Sequence, residues 1–256
     1  MDFGELSTRS YTELKDLAIS MDLPIRRSKE DLIKVITKAF KEYESYKREK
    51  IDRYTRGKQL GEKGKEGTTY QVTDPQGKKY AMKTFRKQKS SATLIKEAEL
   101  QKLAADVGAA PNVIDFDTVS KYIVMEKMDS HLLDKISAQG CVTKEQQKQI
   151  IGIYLKLDKA KVLHGDANLL NYMYRRDKLY IIDFGMAKEV TVALSRKLGT
   201  STPNIQIMTL GLALKLREMG FPKTSYDYII RYLTEEQRCQ FGFVSQSSKK
   251  KGSTNK

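Results

Sequence analysis

Two short polar stretches, twelve residues apart, constrain this chain more than anything else in it: His164-Gly165-Asp166-Ala167-Asn168-Leu169-Leu170-Asn171, and Asp183-Phe184-Gly185. They supply two carboxylates and an amide, hard oxygen donors at spacings that suit a metal–phosphate site. Between them lie Tyr172-Met173-Tyr174, a charged turn Arg175-Arg176-Asp177-Lys178, and Leu179-Tyr180-Ile181-Ile182. Apolar runs flanking a polar turn predict a hairpin. A hairpin returns Asp183 to the side of Asn171, so the two ligand-bearing segments converge. Either fragment alone is an ordinary surface turn, and the rest of the chain has to supply matching parts.

The composition allows it. With 256 residues and 39% apolar content the chain is long enough for one large or two modest domains with real cores. No run of about eighteen apolar residues occurs, and Met1-Asp2-Phe3-Gly4-Glu5 lacks the order of a signal peptide, so no membrane span is expected and the protein is placed inside a cell, in cytoplasm or nucleus. Cys141 and Cys239 are far apart and lack metal-ligand spacing, which argues against a disulfide framework or a zinc site. The net charge of +15 favours anionic partners, nucleic acid or phosphate compounds among them, although a solvated lysine-rich face has the same composition.

Residues 1–48 read as a small helical module. A first amphipathic helix starts at Thr12, with Leu14, Leu17, Ala18 and Met21 on its apolar face, and ends by Leu23-Pro24. After the basic link Ile25-Arg26-Arg27, Ser28 caps a second helix with Asp31 at the capping-box position and Leu32, Ile33, Val35, Ile36 and Phe40 facing inward. Helix, basic link and "SKEDLIKVI" helix resemble the SAP-type fold and, less closely, the Rho N-terminal fold. That resemblance implies a nucleic-acid partner held through Arg26, Arg27 and Lys29; a hairpin that only packs on its neighbour is the plainer reading. The densely charged stretch 41–56 holds the domain boundary.

From Leu60 the pattern turns to short strands. Gly61, Gly64 and Gly67 form a loop where backbone N–H groups can approach phosphates. Asp74-Pro75-Gln76-Gly77 makes a type I turn into the strand Lys78-Lys79-Tyr80-Ala81-Met82-Lys83-Thr84-Phe85. A helix over 91–105 follows. Of its two carboxylates Glu97 shares a face with Leu94, Leu100, Gln101 and Ala104, and Glu99 points the opposite way. Residues 111–117 and 121–128 read as two more strands, and Thr143 with Gln146 opens a helix bearing Ile150, Ile153, Tyr154 and Leu157. Beyond Gly185 only helices near 207–219 and 226–241 are expected, then a basic disordered tail over 245–256.

The order of these parts resembles that of protein kinases. The step from Asp166 to Asn171 is similar to the H-R-D-x-x-x-x-N loop, Asp183-Phe184-Gly185 to the D-F-G turn, and Ala81-Met82-Lys83 to the V-A-I-K strand. The glycine loop is one residue longer than G-x-G-x-x-G. From Leu60 to about Lys188 the chain resembles the small atypical branch of the protein-kinase-like superfamily, the RIO kinases and the kinase subunit of the tRNA-modifying KEOPS assembly. "KEAELQKL", "VMEKM", "HGDANLLNYM" and "IIDFG" carry the likeness to that subunit. A short kinase behind a SAP-like module also resembles the Ser/Thr kinases of iridoviruses and ascoviruses, which implies a virion or infected host cell as its setting.

The resemblance implies an α+β, two-lobed minimal protein-kinase-like fold: a small antiparallel sheet plus one helix, then a truncated, mainly helical lobe. Its expected divisions are 1–48 for the SAP-like module, 49–130 for the N-lobe with hinge, 131–244 for the C-lobe and 245–256 for the tail. It implies ATP and Mg2+ as cofactors, with Asp166 as catalytic base, Lys83 and Glu97 positioning the phosphates, and Asn171 and Asp183 holding metal. Leu60, Gly61, Gly64, Gly67, Ala81, Met125, Glu126 and Met128 would line the nucleotide, with Met173 as floor. His164 is read as packing. Two departures stand out: Gly165 replaces the Arg that reads a phosphorylated activation loop, and Asn168 replaces the Lys that steadies the γ-phosphate in Ser/Thr kinases. The expected activity is phosphoryl transfer to Ser/Thr hydroxyls of proteins, autophosphorylation included. The alternatives are a small-molecule kinase or partner-dependent ATPase of the same fold, and a nucleic-acid-binding adaptor with an inactive kinase fold.

Overall fold

The structure is a computed structural model that describes residues 3–62, 64 and 66–243; the tail expected over 245–256, and Lys63 and Lys65 of the glycine loop, lie outside those residues. Two compact units are present, one running to Thr55 with residues 74–76, the other comprising the remainder.

The first unit holds α1 (Phe3–Thr8), α2 (Tyr11–Ser20) and α3 (Lys29–Asp52) around Leu6, Leu14, Ala18, Leu32 and Ile36. Ser10 caps α2 in a capping box with Glu13, two residues before the start expected from apolar spacing, and α1, which contributes Leu6, was not expected at all. The boundary expected at 48/49 falls inside α3, which continues to Asp52. No Gly or Pro interrupts it, and an i,i+4 pair between Lys38 and Glu42 at 3.8 Å supports its exposed face. Arg26 and Arg27 are exposed. The Lys29 ammonium is instead bound to the Ser7 carbonyl at 3.0 Å.

The second unit opens with β1 (Thr55–Leu60), β2 (Gly67–Thr73), β3 (Lys79–Phe85), α4 (Ser91–Asp106), β4 (Val113–Asp117) and β5 (Tyr122–Glu126). The strands form one sheet in the order β1-β2-β3-β5-β4. The inner face of β3 and β5 packs Ala81, Ile123 and Met125 onto Leu94 and Ala98 of α4. After Glu126 come β6 (Ser130–His131), α5 (Leu132–Gln139), α6 (Lys144–Lys159), β7 (Val162–Leu163), β8 (Tyr172–Arg175), β9 (Lys178–Ile181), β10 (Lys188–Glu189), α7 (Val192–Leu198), α8 (Thr209–Glu218) and α9 (Glu235–Gln240). This is the mixed sheet-then-helix architecture the resemblance implied.

Helix α6 is the axis of the helical lobe. Thr143 caps it, with Gln146 completing the box, and Ile150, Ile153, Tyr154 and Leu157 are all buried in the main core. Tyr154 reaches across to Tyr172 at the start of β8, hydroxyl to hydroxyl at 2.5 Å, which ties the hairpin to the helix. Strands β8 and β9 pair from Tyr172↔Ile181 to Arg175↔Lys178. They form the hairpin that brings Asp183 back beside Asn171, where the Ile182 N–H donates to the Asn171 carbonyl at 2.8 Å.

The C-terminal segment differs from expectation. Among the described residues it has three α-helices, α7, α8 and α9: α7 lies in a segment given none, and the helix expected over 226–241 is broken. Residues Ile229–Tyr232 form a 3-10 turn, Leu233 is extended, and Thr234 restarts the chain as the N-cap of α9, bonded to Gln237 in a capping box. The break falls at Thr234, whose cap lies inside the expected segment. Ile150→Ala, which empties a fully buried position of α6, is expected to lower the unfolding free energy by about 2–5 kcal/mol with the fold retained, measured by urea denaturation.

Candidate active site

The site is built from four pieces of chain that local chemistry places independently. The first is β3. Its alternation puts Ala81, Lys83 and Phe85 on one face, and Lys83 lies opposite Ile123 of β5 and Thr69 of β2. The second is α4, capped by Ser90, whose periodicity turns Glu97 inward at 3% exposure and leaves Glu99 in solvent. The third is the turn that begins at Asp183. From these, Lys83 Nζ lies 2.8 Å from Glu97 Oε1 and 2.7 Å from Asp183 Oδ1. Burial works against the Lys83 ammonium, but Glu97 and then Asp183 outweigh it and hold its pKa above the ordinary lysine value. Burial also opposes ionisation of Asp183; Lys83 overcomes this and draws that carboxyl below its usual range.

Asp183 adopts φ +66, in the left-handed region. A non-glycine residue held there stores strain that its surroundings must offset. The ion pair to Lys83 and a bond from the Gly185 N–H at 3.4 Å do so.

The fourth piece is the loop from His164. Asp166 Oδ1 accepts the Asn168 N–H at 3.0 Å, and Oδ2 accepts the Asn171 side-chain N–H at 2.8 Å. Asn168 in turn caps the 3-10 turn Leu169–Asn171 through the Leu170 N–H. Gly165 has φ +83, and a Cβ there would lie 3.0 Å from the Met186 carbonyl oxygen. The backbone here therefore favours glycine over any residue with a side chain.

His164 is fully buried. Its Nδ1 lies 3.1 Å from the Asp166 carbonyl and its Nε2 3.0 Å from that of Ile182, and its ring stands edge-on to Phe184 at 4.9 Å. It pins the Asp166 loop to the Asp183 turn, which is the packing role expected of it. From behind, the Asn204 amide oxygen accepts the His164 N–H at 3.1 Å, while Asp158 accepts the Asn204 side-chain and backbone N–H groups at 2.7 and 2.9 Å. Nothing in the sequence drew attention to Asp158 and Asn204, which are buried polar residues 46 positions apart.

The residues expected to line a nucleotide are placed as follows. Leu60 packs beside Ala81 and Met125, which face one another across β3 and β5. Met128 is buried and Met173 half-buried opposite Tyr180. Gly61 and Gly64 lie in the β1–β2 loop and Gly67 opens β2. Gly67 is forced: a Cβ there would lie 1.9 Å from the Thr84 carbonyl oxygen. The Glu126 side chain is occupied structurally, accepting the Asn112 N–H at 3.2 Å and pairing with Arg175. Two charged residues missed by sequence reasoning complete the cluster. Lys89 Nζ is 2.5 Å from Glu97 Oε2 and 2.7 Å from Glu66 Oε2. They were hidden by composition, one in the basic run Arg86-Lys87-Gln88-Lys89, the other between loop glycines.

A small antiparallel sheet with one inward helix, joined to a helical lobe whose polar loops meet a sheet lysine, defines a minimal protein-kinase-like architecture. The family model described as the protein kinase domain matches residues 54–204, and the chain belongs to that family. Across 101 residues it is 35% identical to the KEOPS complex subunit Bud32 of Pyrococcus abyssi, covering 37% of this chain and 44% of that one. It is 34% identical over 86 residues to a probable bifunctional tRNA threonylcarbamoyladenosine biosynthesis protein of Methanocorpusculum labreanum, covering 33% of this chain and 15% of the relative. Against calcium-dependent protein kinase 27 of Oryza sativa subsp. japonica it is 28% identical over 187 residues, 63% of this chain and 30% of that one. The chain thus spans less than half the length of these relatives. It is homologous to the KEOPS complex subunit Bud32, and the family match starts beyond the helical module.

Burial, ahead of all opposing contacts, holds the His164 imidazole below its ordinary pKa. The unfolded chain then takes up that proton first, so stability present above about pH 6.5 is lost as pH falls below it. Urea unfolding between about pH 7.5 and 5.5 should show this decline in the wild type and a flatter profile in His164→Gln. An equal slope in both would contradict it.

Proposed function

We propose that this chain is an atypical, minimal serine/threonine-protein kinase that transfers the γ-phosphoryl group of ATP to protein hydroxyls in a Mg2+-dependent reaction, its own Ser and Thr residues included. The observation that carries the reading is the convergence of Lys83, Glu97 and Asp183 in one ion-paired group, with the Asp166–Asn171 pair intact on a neighbouring segment. The donor set fits the metal. Asn171 gives its amide N–H to Asp166, which leaves its carbonyl oxygen as a ligand beside the Asp183 carboxylate, and hard oxygens are what Mg2+ takes. Bound there, Mg2+ would neutralise charge on the phosphate oxygens.

The geometry supports the following roles for the chain's own residues. Lys83 turns a fixed ammonium toward the phosphates, held by Glu97 so that it costs no reorganisation in the transition state. Asp166, its two oxygens each oriented by one N–H donor, accepts the proton of the acceptor hydroxyl and aligns it for attack. Leu60, Ala81, Met125, Met128 and Met173 supply the apolar sandwich for adenine, and Gly61, Gly64 and Gly67 the backbone approach to the phosphates. Arg26 and Arg27, exposed on the helical module of 1–48, are the groups offered to nucleic acid, with Lys29 the weaker candidate because it is bound to Ser7. A kinase that uses ATP would work inside a cell, in cytoplasm or nucleus, or in a virion or infected host cell.

A second reading is favoured by Asn168. Its side chain caps Leu170 at 3.1 Å and supplies no cation to the γ-phosphate, as a small-molecule kinase or partner-dependent ATPase would tolerate. Homology to a KEOPS complex subunit supports such a partner. Incubation of the full chain with Mg2+ and γ-labelled ATP, alone and with acidic or basic proteins, separates the readings. Labelled protein is expected, falling by about a hundredfold or more in Asp166→Asn. Nucleotide turnover without protein labelling would favour the second reading, and labelling unchanged in Asp166→Asn would contradict the role of Asp166.

A further inference from the structure

In this fold the pairing of the sheet lysine with the helix glutamate decides whether the site is assembled, because the helix can swing its carboxylate away. Here the Glu97 carboxylate has two cationic partners, one on each oxygen: Lys83 at Oε1, 2.8 Å away, and Lys89 at Oε2, 2.5 Å away. Lys89 is no surface lysine. Its side chain is 7% exposed, and its ammonium lies 4.4 Å from the centre of the Phe85 ring, with Lys83 at 5.1 Å from the same ring.

The segment that carries Lys89 is itself fixed. Its N–H donates to the Arg86 carbonyl at 3.1 Å, and Lys121 binds the carbonyls of Lys87 and Lys89. Ser90, the next residue, caps α4. On the far side Lys89 holds the carboxylate of Glu66 at 2.7 Å, and the Glu66 carbonyl accepts the Arg86 N–H at 3.0 Å. Charges therefore alternate along Glu66, Lys89, Glu97, Lys83 and Asp183, from the glycine loop through the helix to the Asp183 turn. Lys89 lies immediately before the cap of the helix whose carboxylate it holds, so the start of α4 and its second turn are clamped from one point.

We propose that Lys89 is a second positioning lysine: by holding Glu97 Oε2 it keeps α4 in the assembled position, so that the site is ready without a phosphorylated residue after Gly185. This deepens, and rests on, the kinase reading of the site. The absence of a reading Arg beside Asp166, where the backbone requires Gly165, is the complement of this arrangement. Without Lys89 the buried Glu97 keeps one oxygen unpaired, and the favourable response is for the carboxylate to rotate toward water and take Lys83 out of register.

The test uses the full chain and the variants Lys89→Met and Lys89→Arg, assayed at a temperature where circular dichroism shows all three folded. Lys89→Met is expected to lower kcat for ATP turnover by about tenfold or more with KM for ATP changed by less than about threefold, and Lys89→Arg to restore most of it, since an arginine fork spans both carboxylates. Phosphatase treatment of the wild type should leave its turnover unchanged. Loss of turnover on phosphatase treatment, or wild-type kcat in Lys89→Met, would overturn the proposal. Hydrogen exchange of the α4 amides 94–101 gives an arm that does not depend on turnover. It should quicken by about tenfold in Lys89→Met and return in Lys89→Arg. If the wild type turns over no nucleotide, the kinase reading fails and exchange alone decides; unchanged exchange in Lys89→Met would then overturn the clamp.

Discussion

The ammonium of Lys83 is the fixed point of this molecule. Its side chain is only 13% exposed, and a cation so largely withdrawn from water persists only where carboxylates surround it. Glu97 and Asp183 meet that requirement at 2.8 and 2.7 Å, and to do so they must come from a helix packed on the sheet and from a turn at the end of a hairpin far along the chain. One electrostatic demand thus fixes the distance between a strand, a helix and a loop that share no local sequence. The apolar packing of Leu94 and Ala98 against Ala81 and Ile123 brings α4 to the sheet; the ion pairs set where along it the helix comes to rest.

The second constraint is the way the Asp166 loop is held. Its carboxylate is oriented by Asn168 and Asn171, its backbone by His164, and His164 by Asn204 and Asp158. Burial raises the Asp158 carboxyl above its ordinary range even though N–H groups of Asn204 and Ile205 bond to it, so the anchor is expensive and is placed where position matters most. Gly165 and Asn168, the departures from the usual kinase pattern, both have structural reasons: one needs a positive φ beside the Met186 carbonyl, the other closes a turn.

Much of this was legible in the sequence because the relevant signals are local. Glu97 could be chosen over Glu99 by helical periodicity alone, the β8–β9 hairpin followed from two apolar runs around a charged turn, and Thr143 announced α6 through its capping box. What was missed depends on distant contacts or on background. Lys89 lies in a run of cations where every lysine looks solvated, and only the fold reveals which one is buried. Asp158 and Asn204 meet across 46 positions. In the C-terminal segment Thr234 and Gln237 form a readable cap inside the helix expected over 226–241, and α7 is a seven-residue helix that offers the core only the partly buried pair Leu194 and Leu198, a weak apolar signal.

If the group around Lys83 is a nucleotide-phosphate site in which Asp183 holds the metal, ATP binding depends on Mg2+ through Asp183. Calorimetric titration of ATP into the full chain, with and without Mg2+, tests it most directly when repeated with Asp183→Asn. Mg2+ is expected to tighten ATP binding to the wild type, and this dependence to disappear in the variant while ATP still binds. A metal dependence equal in both proteins would contradict it.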